Sequence, residues 1–392
     1  MYIETRFKLS KFALTALLVS ALVFLPYPNF VTGTIAAIIV SIIYALAWCT
    51  EPTTKILNFP LTVFLLIVGF SMFWVNSPEL TFRDVGATAI AALVGYAIGT
   101  RLNLKEVMSI IENAVGLIAV LSLLLYFIAP DYALEQGVPN KGTLLGIYVQ
   151  KNVLAIVLLI GFVTTLLQQS KTLEVVCLRF LLLGVYLVDF WLAKSLTAYV
   201  LCISCLAMRL ILPLWLLHRH RSRYILFLIG TIAALTGCIV LIQSAEVTLN
   251  YFGKDLTLSS RVGRWKILLN AWVDRPLLGY GWGSFSTDLS IIHAQEKKYG
   301  HIATNTQNGF LQVLTEIGLI GLAAYLFIWF KTIYSVFCNT IRARDVRDFW
   351  PALMLFILLI NNLAEQGTRG AQLVILTVII GLFYNDSSRC TT

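Results

Sequence analysis

Arg261 and Arg264 stand three residues apart in TLSSRVGRWKILLNAWVDRP, a segment that begins at Thr257. Ser259 or Ser260 fits the cap of a helix here, and Val262, Trp265, Leu268, Leu269 and Trp272 recur at helical spacing before Pro276 ends the run. Both arginines therefore fall at the start of an amphipathic helix. Cations at that end oppose the helix macrodipole, so nothing local rewards them. An external anion would. A guanidinium matches two phosphate oxygens at once, which makes a bound diphosphate one reading. A basic helix resting on anionic lipid head groups is the other.

The chemistry-bearing residues nearby lie in the same polar interval, 246–319. In RPLLGYGWGSF, Gly279, Gly281 and Gly283 alternate with Tyr280 and Trp282, which predicts a tight turn carrying exposed aromatic faces. Those rings would stack on sugars or seat the turn at a bilayer interface. No strand precedes the glycines, so they are not a dinucleotide fingerprint. In HIATNTQNGFLQVLTEIGLIGL, Thr304, Asn305, Thr306, Gln307, Asn308 and Gln312 cluster hydrogen-bonding groups above Glu316. Capping a helix needs only one of them. His301 reads either as a proton acceptor or as a solvated loop residue.

Four further places set ionisable groups within or at the ends of apolar runs: Lys151 with Asn152, Asp189 with Lys194, Glu316, and Glu365 with Arg369. A charge within a membrane span costs about 2.5–3.5 kcal/mol on insertion scales, which marks each as a functional candidate. The Asp189–Lys194 and Glu365–Arg369 pairs also read as local ion pairs at helix ends. Lys151 has no acidic neighbour in sequence.

The elements that must position these residues are membrane helices. The 392 residues are 58% hydrophobic and 12% charged, with a mean hydropathy of +0.83, which excludes a soluble domain. The net charge of +9 is scattered over loops, so it forms no nucleic-acid-binding face. Apolar runs predict an all-α polytopic protein of about twelve helices, near 9–26, 31–49, 58–75, 83–100, 107–128, 143–168, 174–191, 194–216, 224–243, 307–331, 349–363 and 370–385. The first run lacks a small-residue cleavage site and reads as a retained helix. The short junction near 191–194 suggests that one of its two helices is broken or re-entrant. All of 1–392 reads as a single integral membrane domain, with 244–306 as a long loop between helices nine and ten. The inner loops and termini implied by a cytoplasmic N-terminus hold 17 of the 29 Lys and Arg, the long loop seven, and the other outer positions five. That distribution favours N-in, C-in, with the long loop outside. Seven cysteines, several within apolar runs, form no disulfide framework, and Cys202 with Cys205 reads as small packing residues in a helix. No inverted repeat of the transporter kind is visible.

The long loop opening with GKDLTLSSRVGRW, then RPLLGYGWGSF and QNGFLQVLTEIGLIGL, resembles the O-antigen ligase and polysaccharide polymerase superfamily of bacterial inner membranes. VQKNVLA and AKSLTAY resemble the segments that precede that loop in the succinoglycan-type exopolysaccharide polymerase branch. The resemblance spans about 145–370, and the first five helices match in hydropathy alone. It implies a membrane-embedded C-type (GT-C) glycosyltransferase acting on the periplasmic side. Such an enzyme transfers a glycan from undecaprenyl diphosphate to an acceptor sugar hydroxyl, or to lipid A-core, with inversion and without a cofactor. No DxD-like carboxylate pair occurs in the loop, so Arg261 is expected to supply the charge that a metal would otherwise bring. Arg264, Lys151 and Arg369 are secondary candidates, and Asn152, Trp265, Tyr280, Trp282 and Asn308 are further substrate-binding candidates. A chain-length regulator is an implied partner. In the ligases, a histidine precedes the asparagine of the tenth-helix motif as the apparent base, whereas this chain has Gln307. An amide does not take a proton near neutral pH, so His301 or Glu316 substitutes, or leaving-group stabilisation carries the rate. A repeat-unit polymerase is the first reading, a ligase the second, and a glycan transporter belongs to another class.

Overall fold

The computed structural model describes residues 58–75, 78–137, 140–148, 150–170, 172–217, 258–285, 292–293, 307–365 and 371–383. The expected helices near 9–26, 31–49 and 224–243 lie outside the described residues, as do His301 and Arg369. Arg261 and Arg264 are described as helical backbone positions.

Among the described residues the chain is helical, with one isolated bridge between Leu134 and Leu144. The helices are α1 (Phe59–Phe70), α2 (Pro78–Arg101), α3 (Leu104–Ile128), α4 (Lys151–Leu167), α5 (Leu173–Ala193), α6 (Leu196–Leu217), α7 (Leu258–Asp274), α8 (Gly309–Ile341), α9 (Trp350–Ala364) and α10 (Ala371–Leu382). A helix satisfies its own backbone polar groups, which is why apolar runs in a lipid setting take this form. Among the described residues, five stretches are long and apolar enough to cross a membrane: Thr81–Arg101, Leu104–Ile128, Leu173–Ala193, Gly309–Ile341 and Val346–Ala364.

Three boundaries differ from expectation. The helix expected from 143 begins at Lys151, because residues 140–148 fold into turns with Gly142 and Gly146 at positive φ. The junction of α5 and α6 is two residues long and neither helix is broken. Lys194 adopts a left-handed conformation (φ 49°) that ends α5, and Ser195 leads into α6. The helix expected over 307–331 runs on to Ile341 but is interrupted at Ile317 and Gly318.

The described residues form two compact units, one from 101–217 and 336–357, the other from 58–100, 258–335 and 358–383. In the first, α4 packs against α3, α5 and α6 and is buried along nearly its whole length. Arg179 of α5 grips Glu112 of α3 through Nε and Nη2, at 2.7 and 2.9 Å from the two carboxylate oxygens, and also contacts Ser170. Trp350 Nε1 donates to Thr164 Oγ1 at 2.8 Å. In the second unit, α2 and α10 meet with no space for side chains. A methyl group at Gly95 would lie 2.3 Å from the Val374 carbonyl oxygen, and one at Gly99 would lie 2.2 Å from that of Val378. Phe64, Phe310, Tyr325 and Trp329 form an aromatic core there.

Candidate active site

The second unit builds its polar site where α8 breaks. At Ile317 (φ −128°, ψ 19°) and Gly318 (φ 65°) the helical dihedrals fail, so nearby backbone groups lose intrahelical partners. The segment after α7 supplies replacements. Leu319 N donates to Pro276 O at 2.9 Å and Ile320 N to Leu277 O at 3.4 Å, while Tyr280 N and Gly281 N donate to the carbonyls of Thr315 and Glu316 at 3.1 and 2.7 Å. The broken helix and the turn are therefore one hydrogen-bonded structure. Its glycines follow from the close approach. A Cβ on Gly318 would sit 2.1 Å from Leu277 O, and one on Gly279 would sit 2.5 Å from Thr315 O, both at positive φ, where side chains are strained.

Glu316 is the hub of this arrangement. It is 0% exposed. One carboxylate oxygen accepts from Gly283 N at 3.0 Å and the other from Gln312 Nε2 at 3.3 Å. A charged acceptor on a backbone N–H is the stronger kind of hydrogen bond, so this side chain holds the glycine turn in place.

Trp282 corrects the expectation of exposed aromatic faces. It is 0% exposed, its backbone N donates to Ser71 Oγ at 3.1 Å, its Nε1 donates to Thr88 Oγ1 at 2.8 Å, and its ring meets Phe64 edge-on. The two glycines flanking it let the backbone turn the indole inward. Tyr280 is half-buried, with the Arg275 guanidinium 4.8 Å over its ring and Phe285 against its edge.

The amphipathic helix forms, as α7, but it begins at Leu258, so Ser259 and Ser260 lie in its first turn and neither caps it. Its apolar face is covered largely by protein: Leu268, Ala271 and Phe285 make a small core against which Trp265, Tyr280 and Leu311 pack. Arg261 and Arg264 occupy its first two turns. Asn308 is nearly buried and caps α8, its Oδ1 accepting from Leu311 N at 3.1 Å. Gln307, just before it, is half-buried and adopts a left-handed backbone (φ 46°).

One residue at this site escaped the sequence reading. Asp84 of α2 lies against the glycine turn, where a methyl group on Gly283 would meet its Oδ2 at 2.3 Å. Arg83 pairs with it, Nη2 to Oδ1 at 2.9 Å. An acidic residue inside an apolar run was the available signal, by the same insertion cost that singled out Glu316.

The first unit brings Lys151 and Asn152 together at the start of α4. Lys151 Nζ donates to Asn140 Oδ1 at 2.8 Å, and Asn152 Oδ1 accepts from Ser195 Oγ at 3.1 Å. The expected Asp189–Lys194 pair does not form: Asp189 is fully buried, its carboxylate oxygens accept no hydrogen bond among the described residues, and Lys194 is exposed. Residues five apart on a helix do not share a face. Cys202 and Cys205 are buried free thiols, as packing residues would be.

Long apolar helices, with a polar centre made where one of them breaks, define a helical integral membrane protein. Residues 154–326 match the family described as O-antigen ligase, and that range takes in most of α4, though not Lys151 or Asn152, and all of α7, the glycine turn and the break in α8. Over 133 residues, 31% of this chain, the sequence is 25% identical to a Rickettsia prowazekii protein named "Putative polysaccharide ligase". A Rickettsia typhi protein of the same description is 25% identical over 122 residues, 29% of this chain. The matches span 32% and 30% of those relatives' lengths. Together they support the O-antigen ligase and polysaccharide polymerase superfamily as the one this chain resembles.

Proposed function

We propose that the protein is an inner-membrane glycosyltransferase that polymerises lipid-linked repeat units. The acceptor sugar hydroxyl attacks the anomeric carbon of a glycan carried on undecaprenyl diphosphate. The bond from that carbon to the diphosphate breaks with inversion, its electron pair leaves with the diphosphate, and the hydroxyl proton passes to a base or to water. The family match over 154–326 supports the glycosyl-transfer part of this reading, because it contains both the arginine-bearing helix and the glycine turn.

Arg261 neutralises the leaving diphosphate, which allows the reaction to run without a metal; Arg264, Lys151 and Arg369 assist. Glu316 is a positioning residue, because both its carboxylate oxygens are engaged by the Gly283 N–H and Gln312. Trp282 anchors the turn from inside, and Tyr280 and Trp265 remain the aromatic candidates for sugar contact. His301 is the candidate base. The chain spans the inner membrane about twelve times in a single domain, N-in and C-in. Loop 244–306 and the active site face the periplasm, where a chain-length regulator would act.

The polymerase reading rests on Gln307, which stands where the resemblance expects the ligases' histidine. The names of the Rickettsia relatives favour a ligase as the second reading. Purified protein given undecaprenyl-diphosphate oligosaccharide alone should yield a ladder of longer lipid-linked glycans. Product formed solely when lipid A-core is added would establish the ligase. Movement of the lipid-linked glycan across the bilayer with no new glycosidic bond would refute both and leave a transporter.

A further inference from the structure

A second polar feature of the 58–100, 258–335 and 358–383 unit lies far from the glycine turn. A cavity of about 60 Å³ is lined by the polar residues Asn58, Lys331 and Ser335 together with the apolar Ile328, Ile379 and Phe383. Asn58 precedes α1, so Ser71, which holds Trp282, lies 13 residues further on, roughly 20 Å away at about 1.5 Å per residue. The two sites sit at opposite ends of the same helix.

Three observations give this cavity a sign. The first turn of α1 leaves backbone N–H groups without intrahelical acceptors, and the Asn58 side chain makes no cap hydrogen bond to them. Asn58 is 8% exposed, lines the cavity, and its carboxamide has no hydrogen-bond partner among the described residues. Lys331 reaches the same space, and no ion pair engages it among the described residues. A helix N-terminus, an uncommitted amide and a lysine converging on one cavity describe an anion site.

The apolar part of the lining points to the source of the anion. Ile328, Ile379 and Phe383 are apolar, and Phe59 and Phe330 beside the site are 74% and 78% exposed, a surface suited to acyl chains. The cavity is large enough for the oxygens of a phosphate. We infer that this cavity binds the phosphate group of an anionic membrane phospholipid, with Lys331, Asn58 and the start of α1 on the phosphate and the flanking apolar residues on the acyl chains. In an N-in orientation that lipid belongs to the cytoplasmic leaflet, opposite the glycosyl-transfer site.

The test uses the full chain in nanodiscs of mixed phosphatidylglycerol and phosphatidylcholine, with native mass spectrometry counting the lipids that survive detergent exchange. Wild type should retain one phosphatidylglycerol in preference to phosphatidylcholine. Lys331→Gln should lower that retention roughly fivefold, Lys331→Arg should keep it, and Asn58→Leu should reduce it. Lys331 is exposed, so its variants should unfold at the wild-type temperature. Equal retention of the two lipids, or unchanged retention in Lys331→Gln, would overturn the inference. Displacement of the lipid by millimolar inorganic phosphate would overturn it as well, by assigning the site to the free anion.

Discussion

Replacing Glu316 separates a residue that holds the site from one that takes a proton. Its carboxylate accepts from Gly283 N at 3.0 Å and from Gln312 at 3.3 Å in a fully buried position. Glu316→Ala removes the carboxylate that accepts from the Gly283 N–H. Losing a buried hydrogen bond to a charged acceptor costs about 1.5–3 kcal/mol, and for a unit of this size each kcal/mol lowers Tm by about 2–4 °C. The Ala variant should therefore melt about 3–12 °C lower in detergent, read by tryptophan fluorescence, because Trp282 sits in the turn that is released. Glu316→Gln is the discriminating partner. Its amide oxygen still accepts from Gly283 N–H, so the turn and most of the turnover should survive, with activity within about tenfold of wild type. A general base contributes about 100- to 10,000-fold. A Gln variant that is inactive at full stability, beside an Ala variant that is equally stable, would refute the positioning role and make Glu316 the base.

Arg261→Ala should cut turnover at least about 100-fold, the usual cost of one lost transition-state contact, with Tm unchanged; full activity would remove the diphosphate argument. Gln307→His should change the rate little, since histidine tolerates the left-handed backbone there better than most residues, and a large gain would show that the position is catalytic. Gly318→Ala puts a methyl group 2.1 Å from Leu277 O at φ 65°, adding roughly 1–2 kcal/mol of backbone strain before any clash, so size-exclusion profiles should show lost or aggregated protein. Arg179→Ala leaves Glu112 nearly buried without its partner, a change worth about 3 kcal/mol that thermal unfolding would detect; Glu112→Gln should be milder.

Periodicity and hydropathy made the helical class, most described spans and the α7 helix legible, because each depends on neighbours within a few residues. The break in α8 was not legible. LTEIGLIGL reads locally as uninterrupted helix, and its real partners are the backbone groups of Pro276, Leu277, Tyr280 and Gly281, more than thirty residues away. Trp282 was misread for the same reason: alternation with glycine signals a turn without saying which way the ring faces, and Ser71 and Thr88 decide that. Asp84 was missed because it is the second residue of the run expected at 83–100, where an acidic group reads as an ordinary helix-end charge.

The glycine contact between α2 and α10 bears on how the chain is made. Gly95 and Gly99 fit against Val374 and Val378 so closely that nothing else can fill the groove. Yet Ala371 follows Arg101 by 270 residues, roughly 14–54 s of synthesis at about 5–20 residues per second. Throughout that interval α2, with Arg83 and Asp84 near its start, must wait in the bilayer with its small-residue face uncovered. A ribosome stalled before residue 371 should leave this helix accessible to insertion factors and proteases, and release of the last helix should close the unit in one step.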